Sequence, residues 1–198
     1  SKKLKGQTAT VGVIGLGYVG LPMLRQALHA RYDVIGFDKD NAVVAELRSS
    51  EDEQIDHALR GNQLRLYCTA DRSTQINIRD CDVILICVPT PITESRAPDM
   101  TAVKSVVDAV WECRRPGQLV ILESTVYPGA TADTFKGFQD QFVVYSPERI
   151  DPGSNDDPSM IPKIVGSTDN DSLNLAAEFY TNLHRDLTYT HNSESAEP

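Results

Sequence analysis

The sequence predicts an α/β fold: a doubly wound, mostly parallel sheet with helices on both faces. Three observations carry that expectation. Short apolar runs alternate with stretches of helical spacing along the chain, the order that yields parallel strands joined by crossover helices. One run, Asp82-Val83-Ile84-Leu85-Ile86-Cys87-Val88, is unbroken and β-branched, as a central strand covered on both faces requires. Finally, Gly15-Leu16-Gly17-Tyr18-Val19-Gly20 lies between an apolar strand and a helical stretch.

Taken in order, residues 1–8 read as a disordered leader. Ser1-Lys2-Lys3-Leu4-Lys5-Gly6 is basic but has no apolar segment behind it, which excludes a signal peptide. Residues 9–190 are expected to form one domain. Ala9 to Ile14 is a strand, Tyr18 to Ala30 a helix, and Asp33 to Phe37 a second strand ending in Asp38. Asn41 to Ser49 carries Val43, Val44 and Leu47 at helical spacing. Ser50 to Asn62 is polar and reads as surface, and Leu64 to Cys68 as a short strand.

Pro89-Thr90-Pro91 ends the central strand. Beyond it, Thr101 to Cys113 and Gly129 to Gln139 are helical, with strands at Gln118 to Leu122 and Phe142 to Tyr145. Lys163 to Val165 and Asp186 to Tyr189 are candidate strands either side of an amphipathic helix from Asp171 to Leu183.

Composition narrows the partners. A formal net charge of −9 argues against nucleic acid, whose phosphates need a basic surface. No apolar run approaches the ~20 residues that span a bilayer, so no membrane partner is expected. The four cysteines, Cys68, Cys81, Cys87 and Cys113, form no C-x-x-C pair and no zinc-like cluster with histidine, so no metal is expected. Cys81 and Cys87 flank the apolar run and read as buried thiols. A reducing cytoplasm is the compartment such free thiols suit.

The chemistry should gather at the carboxyl ends of the strands, where open α/β sheets bind ligands. Gly15-Leu16-Gly17-Tyr18-Val19-Gly20 fits G-x-G-x-x-G in the right setting, after a strand and opening a helix. Gly15 allows the tight turn, Gly17 lets backbone approach a pyrophosphate, and Gly20 lets helix and strand pack closely. The N–H groups around Tyr18 and Val19 then face the phosphates. Asp38 ends the second strand, where a carboxylate accepts ribose hydroxyls and repels a 2′-phosphate, so the cofactor is NAD rather than NADP. The fold is thus Rossmann-like.

Three further strand-end segments join this edge. Pro89 and Pro91 hold the Thr90 hydroxyl in a stiff turn that is expected to contact the cofactor, or that simply stops the strand. Glu123-Ser124-Thr125-Val126-Tyr127-Pro128-Gly129 offers hydroxyls to bind cofactor, position a water or stabilise developing charge. In Ser146-Pro147-Glu148-Arg149-Ile150-Asp151-Pro152-Gly153, Glu148 should face the same edge. A crowded apolar site would raise its pKa, as suits a general acid or base; a salt bridge to Arg149 is the plain alternative.

Together these segments, with Leu21-Pro22, Cys87-Val88 and Pro98-Asp99-Met100, resemble the UDP-glucose/GDP-mannose dehydrogenase family over nearly the whole chain. The Glu-Ser-Thr and Ser-Pro-Glu-Arg versions look most like UDP-N-acetylhexosamine 6-dehydrogenases. The resemblance implies two successive NAD-dependent oxidations of a sugar C6 alcohol, through a thiol-bound intermediate, to a carboxylate. It places Asp38 on the adenosine ribose, Thr90 and Thr125 near cofactor and catalytic water, and Glu148 as the acid/base of the hydrolytic half, with Ser124 among the cofactor-binding hydroxyls. Val43 stands where relatives often have a basic residue, and Lys39 is placed to compensate at the cofactor.

The family's catalytic cysteine, in a Gly-Gly-x-Cys type motif, and the lysine and asparagine of its central helix have no counterpart here. Residues 191–198 read as the start of that helix or as the linker to it. The expectation is therefore the NAD-binding domain of an enzyme whose substrate is a UDP-sugar, inactive alone and monomeric, within a full-length homodimer or larger assembly. Two alternatives stay open: a non-catalytic nucleotide-binding module, and a β-hydroxyacid-type dehydrogenase domain.

Overall fold

The computed structural model describes residues 1–69, 74–93, 97–149, 160–184 and 186–197. Strands β1 (Thr10–Ile14), β2 (Asp33–Asp38), β3 (Leu64–Cys68), β4 (Val83–Ile86), β5 (Leu119–Leu122), β6 (Phe142–Tyr145), β7 (Lys163–Gly166) and β8 (Leu187–Thr190) form one sheet. Their order is β3-β2-β1-β4-β5-β6-β7-β8. The pairs from β3 to β6 are all parallel. β7 turns antiparallel to β6, and β8 runs parallel to β7. The first six strands thus follow the doubly wound order with its switch point between β1 and β4.

The helices are α1 (Lys2–Lys5), α2 (Gly20–His29), α3 (Asn41–Arg48), α4 (Glu53–Arg60), α5 (Thr74–Asp80), α6 (Thr101–Cys113), α7 (Ala130–Thr134) and α8 (Asn170–Tyr180). Two apolar cores cover the two faces of the sheet. One gathers Val11, Val13, Leu24, Val34, Leu85 and Phe179, and the other Ile14, Phe37, Ile84, Val103, Val107 and Leu122. Val83 to Ile86 are fully buried on both faces, which is why that run shows no alternation.

Several expectations need correction. The leader is ordered at its start: α1 buries Leu4, and the chain's amino terminus pairs with Glu178 of α8. One apolar residue among lysines was enough to dock the turn. The polar stretch after Ser49 contains α4, capped by Asp52, with Ile55 and Ala58 buried; an apolar pair three apart makes a narrow stripe that charged neighbours hide. α5 precedes β4 where no element was expected, and α7 ends at Thr134, well short of Gln139, with Gly137 at φ 109 just beyond it. Residues 191–197 form turns, not a helix. Ala196 and Glu197 are buried, and the Glu197 carboxylate accepts from the N–H groups of Gly129 and Thr131. It thereby supplies the acceptor that Gly129, the α7 N-cap, lacks.

Candidate functional site

The glycine loop lies at the switch point and its three glycines sit in different surroundings. Gly15 sits at φ 92, and a Cβ there would stand 2.8 Å from the Cys87 carbonyl oxygen. A Cβ on Gly20 would lie 1.7 Å from the Gly15 carbonyl oxygen, so helix α2 could not start against the strand with any side chain at that position. Gly17 differs: a Cβ there would meet nothing within 4 Å. Nothing in the protein demands glycine at 17, and a side chain there would enter open space. Tyr18 is exposed and Val19 is the N-cap of α2. α2 has no side-chain cap and no acidic residue in its first turn, whereas Asp40, Asp52 and Asp169 cap α3, α4 and α8. An anion placed there would meet the positive end of the α2 dipole.

Asp38 shapes the same loop. One carboxylate oxygen accepts from the Leu16 N–H at 2.7 Å and the other from the Asp40 N–H at 2.9 Å. Each oxygen keeps a second acceptor position. A cleft of about 430 Å³ opens beside it, lined by Gly15, Asp38, Lys39, Pro89, Asp99 and Ser105 among others. Its dimensions, its glycine floor and its carboxylate fit a dinucleotide.

The expected hydroxyls divide. The Thr90 hydroxyl donates to the Thr125 carbonyl at 2.7 Å, tying the loops after β4 and β5 together, and Thr125 itself is exposed. Ser124 is buried and its hydroxyl donates to the Val88 carbonyl at 2.7 Å. It braces the two loops.

Glu148 departs most from expectation. Its side chain is only 2% exposed and turns inward to Lys163, Oε2 to Nζ 2.9 Å. Its other oxygen accepts from the Arg149 N–H at 2.8 Å, and the partner of its charge is Lys163, not the Arg149 guanidinium. Burial pushes its pKa up, but the Lys163 ammonium outweighs that, and the carboxyl sits below its usual range, opposite to the sequence expectation. Ile150-Asp151-Pro152-Gly153 lies outside the described residues.

Lys163 is the residue the motif search missed. Its ammonium also pairs with Glu123, whose other oxygen accepts from the Tyr180 hydroxyl. Burial raises Glu123 to about 7 against the opposing pull of Lys163. The signal in the sequence was faint: a lysine opening an otherwise apolar strand. Among the described residues no group of histidine, cysteine and acidic side chains could hold a metal.

Residues 9–184 match the family described as UDP-glucose/GDP-mannose dehydrogenase family, NAD binding domain. The chain belongs to that family. It is 37% identical over 192 residues to UDP-N-acetyl-D-glucosamine 6-dehydrogenase of Pseudomonas aeruginosa, covering 89% of this chain and 43% of the relative. It is 31% identical over 201 residues to UDP-N-acetyl-D-mannosamine dehydrogenase of Methanococcus maripaludis, covering 93% and 45%. The structure of UDP-D-ManNAc dehydrogenase from Pyrococcus horikoshii superimposes with a TM-score of 0.85 at 26% identity, covering 95% of this chain and 48% of that one. The chain thus spans under half the length of these relatives. Its cofactor is NAD. No described helix is long and apolar enough to cross a membrane.

Proposed function

We propose that the chain is the NAD-binding domain of a UDP-N-acetylhexosamine 6-dehydrogenase and that on its own it binds NAD without turning over substrate. The observation that carries the reading is the glycine loop with its open space at Gly17, in a chain matched to this family over residues 9–184. The pyrophosphate lies over Gly17 and the start of α2, the adenosine ribose on Asp38 with Lys39 beside it, and the rest of the cofactor along Pro89, Thr90 and Thr125. Bound NAD supplies the hydride-accepting nicotinamide. Thr125 is the exposed hydroxyl at the reacting end, and Glu148 the carboxylate available to take a proton there.

The chain's own thiols do not supply the covalent step expected of the family. Burial raises Cys87 far above, and Cys81 to about 12 against, the usual thiol range, so neither is a nucleophile at neutral pH. Cys113 donates to the Ala109 carbonyl within α6, and Cys68 to the Lys39 carbonyl at the end of β3. Calorimetric titration tests the binding reading: NAD binds and NADP binds far more weakly. Absence of NAD binding would overturn it. NADH formation from UDP-N-acetylglucosamine by this chain alone would overturn the inactive assignment.

A further inference from the structure

Two carboxylates and one ammonium share a buried site: Glu123 after β5, Glu148 after β6 and Lys163 opening β7. The topology brings them together. β6 and β7 pair antiparallel at Tyr145 and Gly166, and continuing that register past the paired residues puts Glu148 opposite Lys163. The parallel register of β5 and β6 aligns Leu122 with Tyr145, so Glu123 arrives one step beyond, level with Ser146, and the Glu148 N–H reaches back to the Glu123 carbonyl at 3.4 Å. The side chains of Lys163, Glu123 and Glu148 are 2%, 0% and 2% exposed. Tyr180 of α8 closes the cluster by donating to Glu123. The Cys87 thiol, one residue past β4, and the His184 ring, beyond α8, also lie near the cluster.

We propose that Lys163 is a positioning residue that holds Glu148 as an ionised, proton-accepting carboxylate, while Glu123 and Tyr180 carry the proton that keeps the buried cluster neutral. This rests on the reading of Glu148 as the reacting carboxylate. Charge balance is the reason. With both carboxylates ionised against one ammonium, these three side chains would bury a net negative charge, which is unfavourable in the interior. One proton removes it. Glu123 is the deeper carboxylate, wholly enclosed and adjoining a hydroxyl, so it takes the proton, and Lys163 is left to neutralise Glu148. The direction of the titrations agrees: Glu123 is raised to about 7 and Glu148 is lowered. Glu148 therefore enters the chemistry near neutral pH as a base and not as an acid.

The test is a carbon-13 NMR pH titration of the glutamate carboxyls of this chain, with Glu148→Gln and Glu123→Gln assigning the two signals. In the wild type Glu148 titrates below the ordinary ~4.3 of glutamate and Glu123 near neutrality. In Lys163→Met the Glu148 midpoint rises by at least one pH unit or so, as burial goes uncompensated; in Lys163→Arg it stays low. An unchanged Glu148 midpoint in Lys163→Met, or a wild-type Glu148 titrating near neutrality, would overturn the proposal. Should Lys163→Met fail to fold, Glu123→Gln decides. It removes the near-neutral step and leaves Glu148 low, and a near-neutral step that persists on Glu148 overturns the proposal. NAD titration of the wild-type chain reports separately on the functional reading, since a chain with these titrations but no NAD binding keeps the ion-pair device and loses the function.

Discussion

Gly17 and Gly20 stand three residues apart in one motif, yet alanine at each should fail in a different way. At Gly20 the new methyl would lie 1.7 Å from the Gly15 carbonyl oxygen, 2.9 Å from its carbon and 3.2 Å from the Cys87 Cβ. The nearest obstacle is backbone, so the first turn of α2 must shift by more than about 1 Å. Overpacking of this kind costs about 1–3 kcal/mol, occasionally more. For a chain of this size that lowers Tm by about 2–4 °C per kcal/mol. At Gly17 the methyl meets nothing within 4 Å and the backbone is outside the left-handed region. Stability should hold, or rise by about 0.4–1 kcal/mol through the stiffer unfolded chain. The methyl does occupy the space assigned to the pyrophosphate, so NAD affinity should fall at least tenfold, about 1.4 kcal/mol. Differential scanning calorimetry and NAD titration of both variants separate the two effects. If Gly17→Ala binds NAD as tightly as the wild type, the pyrophosphate does not lie over Gly17 and the fit argument for the cleft is wrong.

Three more outcomes follow from the geometry. Asp38→Asn should weaken NAD and narrow the gap to NADP in calorimetry, because the charge that repels a 2′-phosphate is gone while one acceptor for Leu16 remains; unchanged affinities for both would remove the ribose role. Asp82 is desolvated, but hydrogen bonds from Lys3, the Thr10 N–H and Arg115 prevail and lower its pKa. A depressed carboxylate contributes stability above its unfolded value of ~3.9, so urea midpoints should drop as pH falls below about 4, and Asp82→Asn should flatten that drop. Glu123 has the opposite sign. Its contribution is full below the unfolded value of ~4.3 and is lost as pH rises through about 7, a decline that Glu123→Gln should abolish in the same urea series.

How much of the site was legible depended on how local the information was. The glycine loop, Asp38 and the proline turn could be placed at the strand ends because each position is set by residues adjacent in the chain: a strand end, a turn and a helix start. The helix Thr101–Cys113 and the strand Phe142–Tyr145 were legible for the same reason, since period and breakers bound them closely. α4 was not, because its buried stripe is two residues wide. The bracing hydrogen bond of Ser124 was not legible, because a hydroxyl at a strand end can serve ligand or scaffold equally, and the position of the Val88 carbonyl is known only from the fold.

The sequence by itself determined the doubly wound fold, the cofactor and the family, since these rest on short-range patterns whose physical meaning survives outside any particular packing. Only the tertiary structure decided the electrostatics of the reacting edge. Glu123, Glu148, Lys163 and Tyr180 lie on four different elements, and what joins them is the antiparallel turn of β7 against β6. A pKa belongs to a carboxyl in its surroundings, and the ammonium that reverses the expected shift of Glu148 is a neighbour only in the folded chain.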